Sequence, residues 1–510
     1  MKRDSFILRL SYIFEIPFLA FMLLLVFLSA WKSVYFPLEQ EALIPFYGKD
    51  HPVVLVAYFV LVVFGLRLFI RRTSKWQDIR AMKIIAVLAT GIICSFFLLT
   101  LKSQPYMDCL AVDGYASAFL AGDYSGLGGA EPGYLHIYPF QIGYIAFVQL
   151  IYRIAGSGNY FAVQVMHIFI AMWFTATGME LCDVLFQDRD SRKIYMVLSC
   201  FMLPFFVFTT FVYGDVPGPA FAAAAFLQVL RFISDRKWLR LLPAAVCIAI
   251  AVLLKSNTQI YLVAMVIILL LEAFRQKKLA FAGFALALVV TVFVSGGAVN
   301  AYYAGKAGIA SMPAGAPKTA WIAMGLQNDG YGEYGWYNGY NVNTFTETGY
   351  DTDATDAMAR ESIKTSINRI LSDPFNGAYF FYAKFASSWN DPMYNSSIQI
   401  EWASRHVENL SPLARSMIYG RGRTILYWIM NVVHFVVYLG VVAALIDGIR
   451  KKRLVIAYYV LPVFGGLFFH LIWETNCRYI MPYYAFLFPL AAGGLNGIIT
   501  MLPPRQSNRR

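Results

Sequence analysis

"YPFQIGYIAFVQLIYRI", Tyr138 to Ile154, is apolar enough to cross a bilayer, and whether it crosses decides which way every later helix faces. Charge settles the question. If the segment crossed, five basic clusters would stand on the outer side: Arg189, Arg192 and Lys193; Arg236, Lys237 and Arg240; Arg275, Lys277 and Lys278; Arg450 to Arg453; and Arg505, Arg509 and Arg510. Lys2, Arg3, Arg9 and the stretch "RRTSKWQDIRAMK" would remain inside, against the tendency of cytoplasmic loops to gather Lys and Arg. The segment is therefore read as returning to the side it came from. It is an interfacial or re-entrant helix on the outer leaflet, with Gln141, Gln149 and Arg153 as its polar contacts.

The rest of the chain agrees with a polytopic membrane protein. Of its 510 residues 59% are hydrophobic and 14% charged, and the apolar residues come in long runs, which excludes a soluble globular protein. The net charge of +12 sits in short clusters between those runs, so no basic domain is left over to bind nucleic acid. Runs of suitable length predict an all-α fold with about 12 transmembrane helices. They lie near 12–30, 52–70, 82–101, 160–185, 194–212, 216–233, 239–254, 259–273, 279–298, 424–446, 455–473 and 480–500.

This places both termini in the cytoplasm and leaves two large external regions, 102–159 and 299–423, between membrane segments 1–101, 160–298 and 424–510. The N-terminus has a basic start like a signal peptide, but its long hydrophobic core reads as an uncleaved first helix. In the second external region, "TDATDAMARESIKTSINRILSDP" reads as a surface helix closed by Asp373-Pro374. Before it, "GLQNDGYGEYGWYNGYNVNTF" has the Gly, Asn and Tyr content of an irregular loop, suited either to sugar or headgroup contact or to a packed lid. Neither the six cysteines nor the six histidines have metal-site spacing; Cys109 and Cys477 share a predicted side, which allows a disulfide between them.

Charges on the outer side are few, which makes them informative. In "YMDCLAVDGYASAFLAGDYSGL", Tyr106 to Leu127, Asp108 precedes a predicted helix ending at Gly122 and reads as its N-cap, a role compatible with that of an immobilised base. Asp113 lies roughly 140° around that helix, away from Asp108, and Asp123 reads as a turn residue. Asp215 sits in the short loop "VYGDVPGP", which also reads as a plain turn. Lys255 in "LLKSNTQ" and Arg478 in "WETNCRYIMPYY" are lone cations beside the membrane, either snorkelling to headgroups or holding a lipid phosphate, with Glu474 placed to orient or neutralise Arg478.

In order, "MDCLAVDGYASAFLAGDYS", "YLHIYPFQIG", "YGDVPGP", "LKSN", "KTAWIAMGLQNDGYGEYGWYNG", "KFASSWNDP" and "ETNCRYIMPYY" resemble the GT-C superfamily of polyprenyl-phosphate-sugar-dependent glycosyltransferases. Within it the chain is similar to the protein mannosyltransferase and aminoarabinose transferase-like branch, particularly its bacterial members, over nearly everything after residue 82. The resemblance implies a multi-pass cell-membrane enzyme with an extracytoplasmic site, a polyprenyl-phosphate-linked sugar as donor and a hydroxyl-bearing acceptor. It implies Asp108 as the base and Lys255 and Arg478 as donor-phosphate contacts, with Asp123, Tyr138, Gln141, Asp215, Glu474 and Tyr479 in support. No cofactor is called for, with a divalent metal left open: where the mannosyltransferase branch has a second acid after the aspartate, this chain has Cys109, which counts against a paired-acid or metal-dependent mechanism. Phe140 likewise stands where some relatives carry a polar residue. The competing classes are a flippase for lipid-linked saccharide, which calls for charges lining a path through the membrane, and a non-catalytic membrane scaffold.

Overall fold

The computed structural model describes residues 2–38, 44–128, 132–328 and 334–503. Among these the chain is almost wholly helical, as expected; the one sheet pairs Val34–Tyr35 antiparallel with Phe46–Tyr47. The tail arginines 505, 509 and 510 and part of the Gly-Asn-Tyr loop, 329–333, lie outside the described residues.

Among the described residues eight helices are long and apolar enough to cross a membrane: Arg3–Trp31, Pro52–Arg72, Ile79–Leu101, Tyr160–Phe186, Ser256–Gln276, Ala280–Ala307, Arg421–Arg450 and Leu454–Ile472. Two bent pairs raise the number to 10 if each is one span: Arg189–Ser199 with Leu203–Thr210, bent by 52°, and Cys477–Phe486 with Phe488–Met501, bent by 51°. Pro204 and Pro489 stand in the first turn after each break, where a missing N–H costs nothing. The expected count of about 12 is therefore not reached. The remaining two predicted spans do form helices, Pro217–Asp235 and Trp238–Leu254, but the first is interrupted by Pro217, Gly218, Pro219, Gln228 and Arg231, and the second is too short.

The segment that opened the question is short as well. Pro139–Gln141 is a single 3-10 turn and Ile142–Ala155 a helix of 14 residues, roughly 21 Å long against the ~30 Å of a hydrocarbon core. One face is buried in protein through Tyr144, Ile145, Val148 and Tyr152, while Leu150 and Ile154 are exposed. Gln141 and Gln149, expected as contacts at the outer surface, instead point inward. Gln141 donates to the Tyr213 hydroxyl, and Gln149 accepts from Tyr303. Arg153 remains exposed.

The predicted surface helix is Thr352–Ser372, capped by Asp351, whose carboxylate accepts from the amides of Asp353 and Ala354. It packs on Lys318–Leu326 around a small separate core of Trp321, Met324, Phe345 and Ala359, against which Tyr138 and Trp473 rest. All six cysteines are free, so the Cys109–Cys477 disulfide that their shared side allows is not formed; the Cys477 thiol donates to the Ser387 carbonyl.

Candidate active site

Asp108 is the first residue of the helix Asp108–Leu120 and not its N-cap. That position falls to Met107, whose φ of 44° and ψ of −124° are rare for a residue with a side chain and make no capping bond. The carboxylate of Asp108 is thereby left to line a cavity of about 1150 Å³. The other two acids of the opening stretch have structural partners: Asp113 accepts from the Tyr152 hydroxyl, and Asp123 is exposed in a turn. Hydrogen bonds from Ser125, side chain and backbone, hold the Asp123 carboxyl below its usual pKa, and it does not line the cavity.

Lys255 and Arg478 do not snorkel. Their side chains are only 14% and 13% exposed, and both face Asp215, which is 1% exposed. Lys255 Nζ donates to Asp215 Oδ1 at 2.7 Å, while Arg478 Nε stands 3.7 Å from Oδ2, close enough for an ion pair and too far for a hydrogen bond. Close packing brings the three together: Lys255 ends the helix Leu241–Leu254, and a Cβ on Gly214 would lie 2.0 Å from the Leu254 carbonyl oxygen. Only glycine at 214 lets the Asp215 turn approach the lysine this closely. The rings of Tyr213 and Tyr479 complete the setting, 4.6 and 5.5 Å from Lys255 Nζ and 5.2 and 5.5 Å from the Arg478 guanidinium. Burial lowers the Lys255 pKa against the pull of Asp215, and the Arg478 charge adds to the lowering.

Both cations line the same cavity as Asp108, together with Tyr138, Gln141, Glu474 and Tyr479. Glu474 is buried and accepts from the Tyr479 hydroxyl at 3.3 Å; burial raises its carboxyl to about 7, opposed by Arg478 and that hydrogen bond. Asp215 lies within ion-pair range of both cations, and Asp108 and Glu474 line the same cavity, so two fixed, little-exposed cations face a space shared with carboxyl groups, an arrangement able to meet an anion beside a base. The opposite wall is aromatic: Trp321 stacks on Trp473 with ring centroids 6.0 Å apart, and Tyr138 and Phe140 meet Trp321 edge-on at 6.1 and 6.0 Å. No group of three or more His, Cys, Asp or Glu side chains placed to hold a metal occurs among the described residues.

Of the residues that the resemblance implies, the cavity brings together Asp108, Lys255, Arg478, Tyr138, Gln141, Glu474 and Tyr479; Asp215 stands behind it, and Asp123 does not line it. Sequence reasoning missed Tyr213, Trp321, Trp473 and the pair Gln399 and Trp402, which lines the cavity from the helix Ser396–Ser404. Tyr213, Trp321 and Trp473 do fall within the quoted stretches "VYGDVPGP", "KTAWIAMGLQNDGYGEYGWYNG" and "WETNCRYIMPYY", and the Gly, Asn and Tyr content of the long loop was the available signal for Trp336 and Tyr337.

No curated protein and no solved structure matches the chain. A family model does match, over residues 139–295, a stretch that takes in Asp215 and Lys255 and leaves Asp108 and Arg478 outside. That family is described as dolichyl-phosphate-mannose-protein mannosyltransferase; the chain is similar to it over that stretch, under a third of its length, and eight helices among the described residues are long and apolar enough to cross a membrane.

Proposed function

We propose that the protein transfers a sugar from a polyprenyl-phosphate-linked donor to an acceptor hydroxyl on the extracytoplasmic face, with both termini in the cytoplasm. The observation that carries this reading is one cavity holding a carboxylate, Asp108, and two buried cations that share a single counter-charge, Asp215. The chemistry asks for little more. The donor's leaving group is already a stable phosphate anion, so no general acid is required. Asp108 takes the acceptor's proton as its oxygen attacks the anomeric carbon, and the bond to the phosphate oxygen breaks with its electron pair. Lys255 and Arg478 hold the departing phosphate, and one displacement inverts the anomeric centre. The tyrosine and tryptophan wall supplies faces for sugar or isoprenoid contact.

Mass spectrometry of the lipid that copurifies identifies the donor headgroup. Vesicles holding the protein and that donor, labelled in the lipid, should then release polyprenyl phosphate. Asp108→Asn should slow release by about 10²- to 10⁴-fold, the usual worth of a positioned base. Undiminished release would overturn the assignment.

A further inference from the structure

Outside the charge cluster lies a further buried cation, and it contacts neither substrate nor carboxylate in the reading above. Lys384, on the helix Pro374–Trp389, is 0% exposed. Its ammonium donates to the carbonyls of Trp473 at 2.7 Å, Leu471 at 3.1 Å and Gly325. Three carbonyls converging on one nitrogen call for three N–H donors, which the charged ammonium has and the neutral amine lacks.

The carbonyls belong to two helix ends. Leu471 and Trp473 close Leu454–Ile472, and Gly325 lies in the last turn of Lys318–Leu326. Terminal carbonyls have no partner within their own helix and carry the negative end of its dipole, so one lysine answers both ends. The fit is tight: Gly335, at φ +67°, passes so close that a Cβ there would stand 2.3 Å from the Gly325 oxygen and 2.7 Å from Lys384 Nζ.

From this clamp the chain runs directly to the site. The Glu474 amide donates to the Trp321 carbonyl at 3.2 Å and the Thr475 amide to Gly335 at 2.9 Å; Asn476 Oδ1 then accepts from the Arg478 amide at 2.9 Å. We propose that Lys384 is a positioning residue for the phosphate end of the cavity, fixing the segment Trp473–Arg478 by joining two helix ends. Burying an ammonium costs several kcal/mol even when it is hydrogen-bonded. An apolar residue here would leave three carbonyls unpaired and the Arg478 segment tied by fewer bonds.

The inference rests on Arg478 as a phosphate contact, so the test carries that residue as its control. Wild-type protein, Lys384→Met, Gly335→Ala and Arg478→Ala are placed in lipid nanodiscs and titrated with polyprenyl phosphate alone, alongside thermal unfolding. Lys384→Met and Gly335→Ala should weaken binding by about 10- to 100-fold, the scale of a displacement near 1 Å. A merely structural role would lower the fraction of binding-competent molecules and leave the dissociation constant unchanged. Wild-type affinity in Lys384→Met, with Arg478→Ala impaired, overturns the role of Lys384 and spares the phosphate site. Wild-type affinity in Arg478→Ala overturns the phosphate assignment itself. If Lys384→Met does not fold, Gly335→Ala decides, since it keeps the lysine and displaces its carbonyl partner; unchanged affinity there overturns the proposal.

Discussion

Asp215 and Glu180 are each set between a lysine and an arginine that come from other helices or turns of the chain. At the cavity, Asp215 lies between Lys255 and Arg478; at the far end of the helix bundle, Glu180 lies between Lys83 and Arg231, with Arg231 Nη2 at 2.7 Å. Each triad has one positive charge in excess. What differs is where that excess resides. Glu180, Lys83 and Arg231 are 29%, 37% and 28% exposed, so water or lipid headgroups neutralise it. The Asp215 triad is nearly sealed, and its open side faces a cavity shared with Asp108. The same three charged groups are an anchor in one setting and a receptor for an anion in the other, and burial decides which.

The sharpest way to break this comparison is to truncate one arginine in each triad. Arg478→Ala and Lys255→Ala should each reduce sugar transfer by about 10²- to 10³-fold, as expected when a fixed cation facing transition-state charge is removed. Arg231→Ala should leave turnover per folded molecule within about twofold of wild type, because a half-exposed pair contributes at most ~1 kcal/mol. Release of labelled polyprenyl phosphate measures both. Equal losses from Arg478→Ala and Arg231→Ala would mean that burial does not separate the triads.

Part of this contrast can be read in the sequence and part cannot. Lone cations between apolar runs mark Lys255 and Arg478, and the positive-inside bias puts them on the same side as Asp108. Long apolar runs also give eight of the helices with little error. The partnership with Asp215 is not legible, because "VYGDVPGP" looks like an ordinary turn and only the Gly214 contact with Leu254 shows why it is close. Nor is the Glu180 triad, whose members come from three helices. Asp108 was misjudged as a cap since a residue before a helix usually is one; the strained Met107 backbone that moves the helix start is a tertiary effect. Pro217–Asp235 fell short as a span because Pro217, Gly218, Pro219, Gln228 and Arg231 interrupt its apolar run, and Trp238–Leu254 because it is short. Lys384 opens the stretch "KFASSWNDP", but what it does there is not legible, since its partners are backbone carbonyls.

A second measurement sharpens the comparison through pH. Burial holds Glu474 at about 7 against an ordinary 4.5, so between those values the folded protein binds more protons than the unfolded chain. Stability contributed by the protonated form is therefore lost as pH rises through that window. Glu474→Gln cannot ionise and should not lose it. Relative to wild type, the variant should gain melting temperature as pH goes from 5 to 8, by an amount equivalent to roughly 3 kcal/mol at most. Because Asp391 is also buried and raised to about 7, only the difference between the two proteins isolates Glu474. A difference that stays flat across the window would mean that water reaches this carboxyl, and the sealed character of the cavity end would go with it.

The smallest expected effect is Glu180→Gln. Removing that carboxylate leaves Lys83 and Arg231 facing each other, but both retain a hydrated surface, and their repulsion is screened at ordinary ionic strength. A stability loss of about 1 kcal/mol or less should follow, visible as a slightly lower midpoint that recovers in high salt. Transfer per folded molecule should not change. The equivalent change in the other triad, Asp215→Asn, strands two buried cations and should be far more damaging, on the order of 3–5 kcal/mol, unless polyprenyl phosphate is present to replace the lost charge. Rescue of the Asp215 variant by that lipid, with no effect of the lipid on the Glu180 variant, would separate a charge cluster built to receive an anion from one built only to hold helices together.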